Sequence, residues 1–135
     1  MKKISVCFTP EFQPTPVTYW VHFNQDGDSW RNATVYEPRL PDPVPGKGWA
    51  RVAVEFNGVI LEFASIYELE HVIAVLLKNP LPTTRSLSNR RGSIKGPNSH
   101  WLSRLPAKAK SWKFRQQLVV YLGKARETLL KLSHP

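Results

Sequence analysis

The sequence predicts an α+β fold: a small antiparallel sheet of four to five strands packed on one helix, followed by a basic loop region and a C-terminal helix. Three observations carry this. "WARVAVEFNGVILEFA" holds two alternating apolar runs joined by Asn57-Gly58, the preferred pair for a two-residue type I′ hairpin turn. "SIYELEHVIAVLLKNP" then switches to helical periodicity. Residues 111–132 return to that periodicity near the end of the chain. The 135 residues suit one domain with a modest core. They divide into an α+β body over 1–82, a basic Ser/Arg/Gly-rich segment over 83–110 and the C-terminal helix over 111–132, and residues 83–135 can complete the same single domain.

Taken in order, "KISVCFT" alternates Ile4, Val6 and Phe8 against Lys3, Ser5, Cys7 and Thr9, the pattern of a half-buried strand. Pro10, Pro14 and Pro16 impose an extended connection. "VTYWVHFN" alternates again, with Val17, Tyr19, Val21 and Phe23 facing inward and Thr18, Trp20 and His22 facing solvent. Asp26-Gly27 forms a turn, and "ATVY" is a short third strand. "EPRLPDPVPGKG" is a proline-rich loop. In the hairpin, the turn pairs Phe56 with Val59, Val54 with Leu61 and Val52 with Phe63, so turn chemistry and alternation agree on one buried face. Arg51, Ala53, Glu55, Ile60 and Glu62 take the other face. Ser65 and Glu68 form a capping box for a helix over 65–79, whose stripe of Ile66, Leu69, Val72, Ile73 and Leu76 packs on the hairpin, and Asn79-Pro80 ends it. Ser111 caps the last helix, with Phe114, Leu118, Tyr121, Ala125 and Leu129 in one stripe and Lys113, Gln117, Lys124 and Lys131 opposite. Gly123 weakens that helix by about 1 kcal/mol.

Charge supplies the functional signal. The net charge is +9, but its distribution is lopsided. Residues 1–84 carry seven Lys/Arg against nine Asp/Glu, a net of −2, whereas residues 85–135 carry twelve against one, a net of +11. Solvation alone mixes both signs, because like charges repel; a one-signed half is the footprint of a polyanion-binding surface. The candidate contacts to nucleic acid are Arg85, Arg90, Arg91, Lys95, His100, Trp101, Arg104, Lys108, Lys110, Lys113 and Arg115. Guanidinium and ammonium groups neutralise phosphates, and the rings of His100, Trp101, Trp112 and Phe114, interleaved among them, have the shape to stack on unpaired bases. That interleaving favours RNA or single-stranded nucleic acid over duplex DNA. Each tryptophan has a competing role as a core anchor.

No helix-turn-helix, zinc-finger or RNP-type motif occurs, and "GSIKG" lacks the order of a phosphate-binding loop. The reading is therefore non-catalytic nucleic-acid binding, with no cofactor and no metal. Two alternatives fit the same residues. One is an accessory protein-interaction subunit of a nucleoprotein complex. The other, weaker one is a metal-independent ribonuclease using His100 with Arg91 and Arg104. Asp26 and Asp28 can be imagined around a metal, but turn chemistry explains Asp26 equally well. His71 is expected on the polar side of its helix. Cys7, the sole cysteine, excludes an internal disulfide and a multi-cysteine zinc site. No apolar run reaches transmembrane length, and the two starting lysines are not followed by the apolar segment of a signal peptide, so the expectation is a cytoplasmic protein with no membrane contact.

Overall fold

The computed structural model describes residues 2–26, 30, 33–82 and 101–133. The regular elements are β1 (Lys2–Thr9), β2 (Phe23–Asn24), β3 (Tyr36–Glu37), β4 (Trp49–Phe56), β5 (Val59–Phe63), α1 (Ile66–Leu76) and α2 (Trp112–Ser133). Short 3₁₀ turns at Thr18–Trp20, Trp101–Arg104 and Ala107–Lys110 link them.

The hairpin forms as its residues dictate. Asn57 and Gly58 take positive φ angles of 47° and 89°, which a type I′ turn requires of both central positions. The register pairs Phe56 with Val59, Val54 with Leu61 and Val52 with Phe63. β1 adds antiparallel to the other side of β4, placing Ile4 opposite Val54 and Val6 opposite Val52. The sheet order is β1-β4-β5. A glycine is obligatory at position 48, where φ is +103° and a Cβ would lie 2.3 Å from the carbonyl oxygen of Thr9.

Two expectations change. The chain forms a three-stranded sheet and a separate two-stranded ribbon of β2 and β3, where the sequence suggested one sheet of four to five strands. The segment "VTYW" is the reason. It coils into a 3₁₀ turn, with Trp20 N–H donating to the Val17 carbonyl and His22 N–H to that of Thr18. The Thr15 amide donates to the Thr18 hydroxyl at 2.8 Å, a local bond that competes with a strand ladder. As a result Thr18, Trp20 and His22 are buried together with Val17, and Phe23 is exposed, which breaks the alternation read from the sequence.

The second change concerns the helical layer. Leu69, Val72, Val75 and Leu76 of α1 share one core with Leu118, Leu122, Ala125 and Leu129 of α2 and with Val52, Val54, Phe56, Val59 and Phe63 of the sheet. α2 lies over β4, where the Phe56 ring meets Phe114 and Tyr121, each at 5.5 Å between centroids. α1 packs along α2 and against β5. The sheet therefore rests on two helices, because the stripe on α2 is wide enough to bury against both neighbours at once. Among the described residues no helix is long and apolar enough to cross a membrane.

Candidate nucleic-acid interface

Of the candidate contact residues, Arg85, Arg90, Arg91, Lys95 and His100 lie outside the described residues, as does the side chain of Arg104. The ribonuclease trio of Arg91, His100 and Arg104 falls with them. The rest separate into core and surface.

Trp101 and Arg115 belong to the core, each 3 % exposed. The Arg115 guanidinium donates from Nη1 to the carbonyls of Leu76 at 3.0 Å and Lys78 at 2.5 Å, and from Nε to the Lys110 carbonyl at 3.0 Å. It also lies over the Trp112 ring, 5.0 Å from the centroid. α1 has no basic residue in its last turn. Arg115 thus supplies from a distance the donors and positive charge that the end of α1 needs.

Trp101 donates its indole N–H to Nε2 of His71 at 3.1 Å. His71 is therefore not the solvent-facing helix residue the sequence suggested. Burial, helped by the nearby Lys78 charge, holds its pKa down at about 4, against an ordinary 6.5. Protonation would place a hydrogen on the nitrogen that accepts the Trp101 bond. Because the folded state disfavours the charged form, this contribution to stability is complete above about pH 6.5 and is lost as pH falls toward 4, by up to about 3 kcal/mol. Urea denaturation at pH 7 and 4.5 should show the loss, and His71→Gln should remove most of the difference.

Lys108, Lys110 and Lys113 are on the surface. Lys108 Nζ donates to the Asn57 carbonyl at 2.8 Å, fixing the segment before α2 to the hairpin turn. Lys110 and Lys113 flank the start of α2, whose first turn contains no acidic residue. The positive end of a helix disfavours lysines and favours anions. Along α2, Lys113, Lys124 and Lys131 share the exposed face with Gln117 and with Val120, which is 68 % exposed. At 1.5 Å rise per residue these amines span roughly 27 Å. Lys124 lies 5.8 Å from the centroid of Tyr121, and Lys2 lies 5.1 Å from that of Phe56. Sequence reasoning left Lys2, Lys124 and Lys131 out of the contact set. The polar face of α2 gave a signal for the last two; Lys2 is brought beside the Phe56 ring by the β1–β4 pairing, which composition does not reveal.

A buried polar cluster lies at the start of α1. Glu68 and His22 are both fully buried. Glu68 accepts from the hydroxyls of Thr15 at 2.7 Å and Thr18 at 3.0 Å, and from the Ala64 amide at 3.1 Å. Burial raises its carboxyl pKa above the ordinary value, and these donors pull the other way. His22 Nδ1 donates to the Pro38 carbonyl at 2.7 Å, and its Nε2 lies 2.8 Å from the Ser65 hydroxyl. Ser65 Oγ also accepts the Glu68 amide as N-cap of α1, at 3.3 Å. A serine, a histidine and a carboxylate are thus adjacent, but all three are enclosed and bound to backbone groups. They strap the 15–22 segment and Pro38 to the start of α1.

Elsewhere, Asp26 accepts from the amides of Thr34 and Val35, both at 2.8 Å, and from the Thr34 hydroxyl. The hydroxyl bond, followed by the amides, lowers its pKa. Its oxygens close a turn, and Asp28 lies outside the described residues. Among the described residues no cluster of His, Cys, Asp and Glu is assembled for a metal. No protein-family model matches the chain, and neither a curated protein nor a solved structure is found similar to it.

Proposed function

We propose that this protein binds nucleic acid without altering it, holding phosphates on the basic surface of its C-terminal half. The observation that carries the reading is the line of Lys113, Lys124 and Lys131 along the exposed face of α2, with Lys108 and Lys110 at the helix's positive end. Lys113, Lys124 and Lys131 extend from a helix fixed in the core, so their charges are held apart along one face, while Lys108 keeps its charge at the surface as it donates to the Asn57 carbonyl. A phosphate backbone is the polyanion whose repeated charges match such a line. From the sequence, Arg85, Arg90, Arg91 and Lys95 add four further cations.

The support is charge rather than stacking. Trp101 is enclosed, Trp112 carries Arg115 on its ring, and Phe114 packs on Phe56. On this reading the protein grips phosphates in RNA, single strands and duplex DNA alike, and the preference for unpaired bases loses three of its four rings. The test is titration of labelled single- and double-stranded DNA and RNA from low to moderate salt. With about five phosphates neutralised, log K falls against log salt with a slope of about −3 to −5. A flat response would remove the electrostatic basis of the proposal.

A further inference from the structure

We propose that the outer edge of β5 is a strand-addition site for an extended peptide segment of a partner protein, one that alternates apolar residues with residues that include a cation. This surface is separate from the basic face of α2, and the proposal does not depend on nucleic-acid binding.

The hairpin turn determines which backbone groups are free. In a two-residue hairpin the residues flanking the turn exchange both backbone hydrogen bonds, and bonded and non-bonded pairs then alternate. Val59, Leu61 and Phe63 therefore spend their amides and carbonyls on β4, opposite Phe56, Val54 and Val52. Ile60 and Glu62, opposite Glu55 and Ala53, turn theirs outward. β5 is the terminal strand of its sheet, and no described residue bonds these four outward groups. Strands buried within a sheet do not leave such groups unmet; an edge strand offers them to another chain.

The edge is recessed. Val59, Ile60, Leu61 and Glu62 line a groove of about 390 Å³, walled by Pro16 and Val17 and by Trp101, Leu105 and Pro106. Two of the wall residues are prolines, which have no amide to compete for the incoming carbonyls. Neighbouring strands lie about 4.8 Å apart, so an added chain would sit at that distance from β5, inside the groove. Its walls obstruct the flat approach of a second sheet, which argues for a lone strand over a second copy of this protein. Main-chain bonds would hold the strand, and side-chain contacts would select it.

The side chains define the partner's chemistry. Ile60 is 66 % exposed, a β-branched residue on the edge strand of its sheet. Glu62 stands on the same face; Arg51, which also lines the groove, donates from Nε to its Oε2 at 2.8 Å, and among the described residues no bond reaches Oε1, which is left to accept from a second cation. An apolar residue opposite Ile60 and a cation opposite Glu62 would complete the cross-strand pairs. On the other face the visiting side chains meet Leu61, Leu105 and Trp101, which are apolar at their contact surfaces.

The experiment uses the full chain and the blocked peptide acetyl-KVAVKVA-amide, which sets Ala and Lys alternately on one face and Val on the other, and whose positive charge keeps it off the basic face of α2. Amide hydrogen exchange followed by NMR should show the Ile60 and Glu62 amides slowed at least about tenfold by saturating peptide. In antiparallel pairing the residues opposite Ile60 and Glu62 donate to β5, so the same peptide methylated on its Lys and Ala backbone nitrogens should not bind. Ile60→Pro should keep the circular dichroism of the parent, since this amide makes no bond to β4, and should lose the peptide. Ile60→Lys, which keeps the amide, should retain the protection pattern with weakened binding if the proline variant fails to fold. The proposal is overturned by any of three results: no binding up to about 1 mM peptide, equal binding of the methylated peptide, or binding that leaves both amides unprotected. It is also overturned if sedimentation shows a dimer that Ile60→Lys dissociates, because the occupant would then be a second copy.

Discussion

Arg115→Met is expected to destabilise the protein by about 3 kcal/mol while leaving nucleic-acid affinity nearly unchanged. The methionine fills much of the same volume but donates nothing. The carbonyls of Leu76, Lys78 and Lys110 would each lose the guanidinium that now meets them. Leu76 ends α1, where helix carbonyls have no partner within the helix, and the first of these losses falls there. The cost exceeds that of an exposed arginine because Arg115 is 3 % exposed, and water cannot replace the bonds without opening the α1–α2 contact. For a chain of this size the melting temperature should fall by about 10 °C. Urea denaturation measures the stability, and oligonucleotide titration at a temperature where both proteins are folded measures the affinity. A loss of affinity with unchanged stability would return Arg115 to the contact surface that its neighbours in sequence suggested.

Reversing charge along α2 should give the opposite result. The triple variant Lys113→Glu, Lys124→Glu and Lys131→Glu is expected to lower affinity at least about a hundredfold at moderate salt, and to reduce the salt slope by about two to three units. All three side chains are exposed, so the core contacts of α2 are untouched. Glutamate at position 113 suits the positive end of the helix better than lysine does, so the fold should not weaken there. Melting curves test the fold, and the titration tests the surface. Full affinity in the folded triple variant would sink the proposal for this helix and leave Lys108, Lys110 and the Arg85-to-Lys95 segment as the remaining cationic candidates.

Much of the fold is legible in the residues because some signals are local. Asn57-Gly58 determines a turn type, the turn determines a register, and alternation then decides which side of β4 and β5 is buried. Ser65 caps α1, and Ser111 receives the Phe114 amide at 3.3 Å at the start of α2. The polar face of α2 was correctly read from its period. These features depend on neighbours within a few positions, so tertiary packing had little to add.

The failures have one cause. Thr18, His22, Glu68, His71 and Arg115 look like surface residues by type, because burying a polar group is costly unless it finds a partner. Their partners are distant in sequence: Glu68 meets Thr15 and Thr18, His71 meets Trp101, and Arg115 meets Leu76. The alternation in "VTYWVHFN" misled for that reason, since hydroxyl and imidazole groups turned inward once Glu68 and Ser65 were there to receive them. The sequence by itself determined the hairpin, the two long helices and the one-signed charge of the C-terminal half. Only the tertiary structure decided which cations of that half face outward, because a guanidinium is driven into a core by the particular unpaired carbonyls it meets there, and those come from another helix.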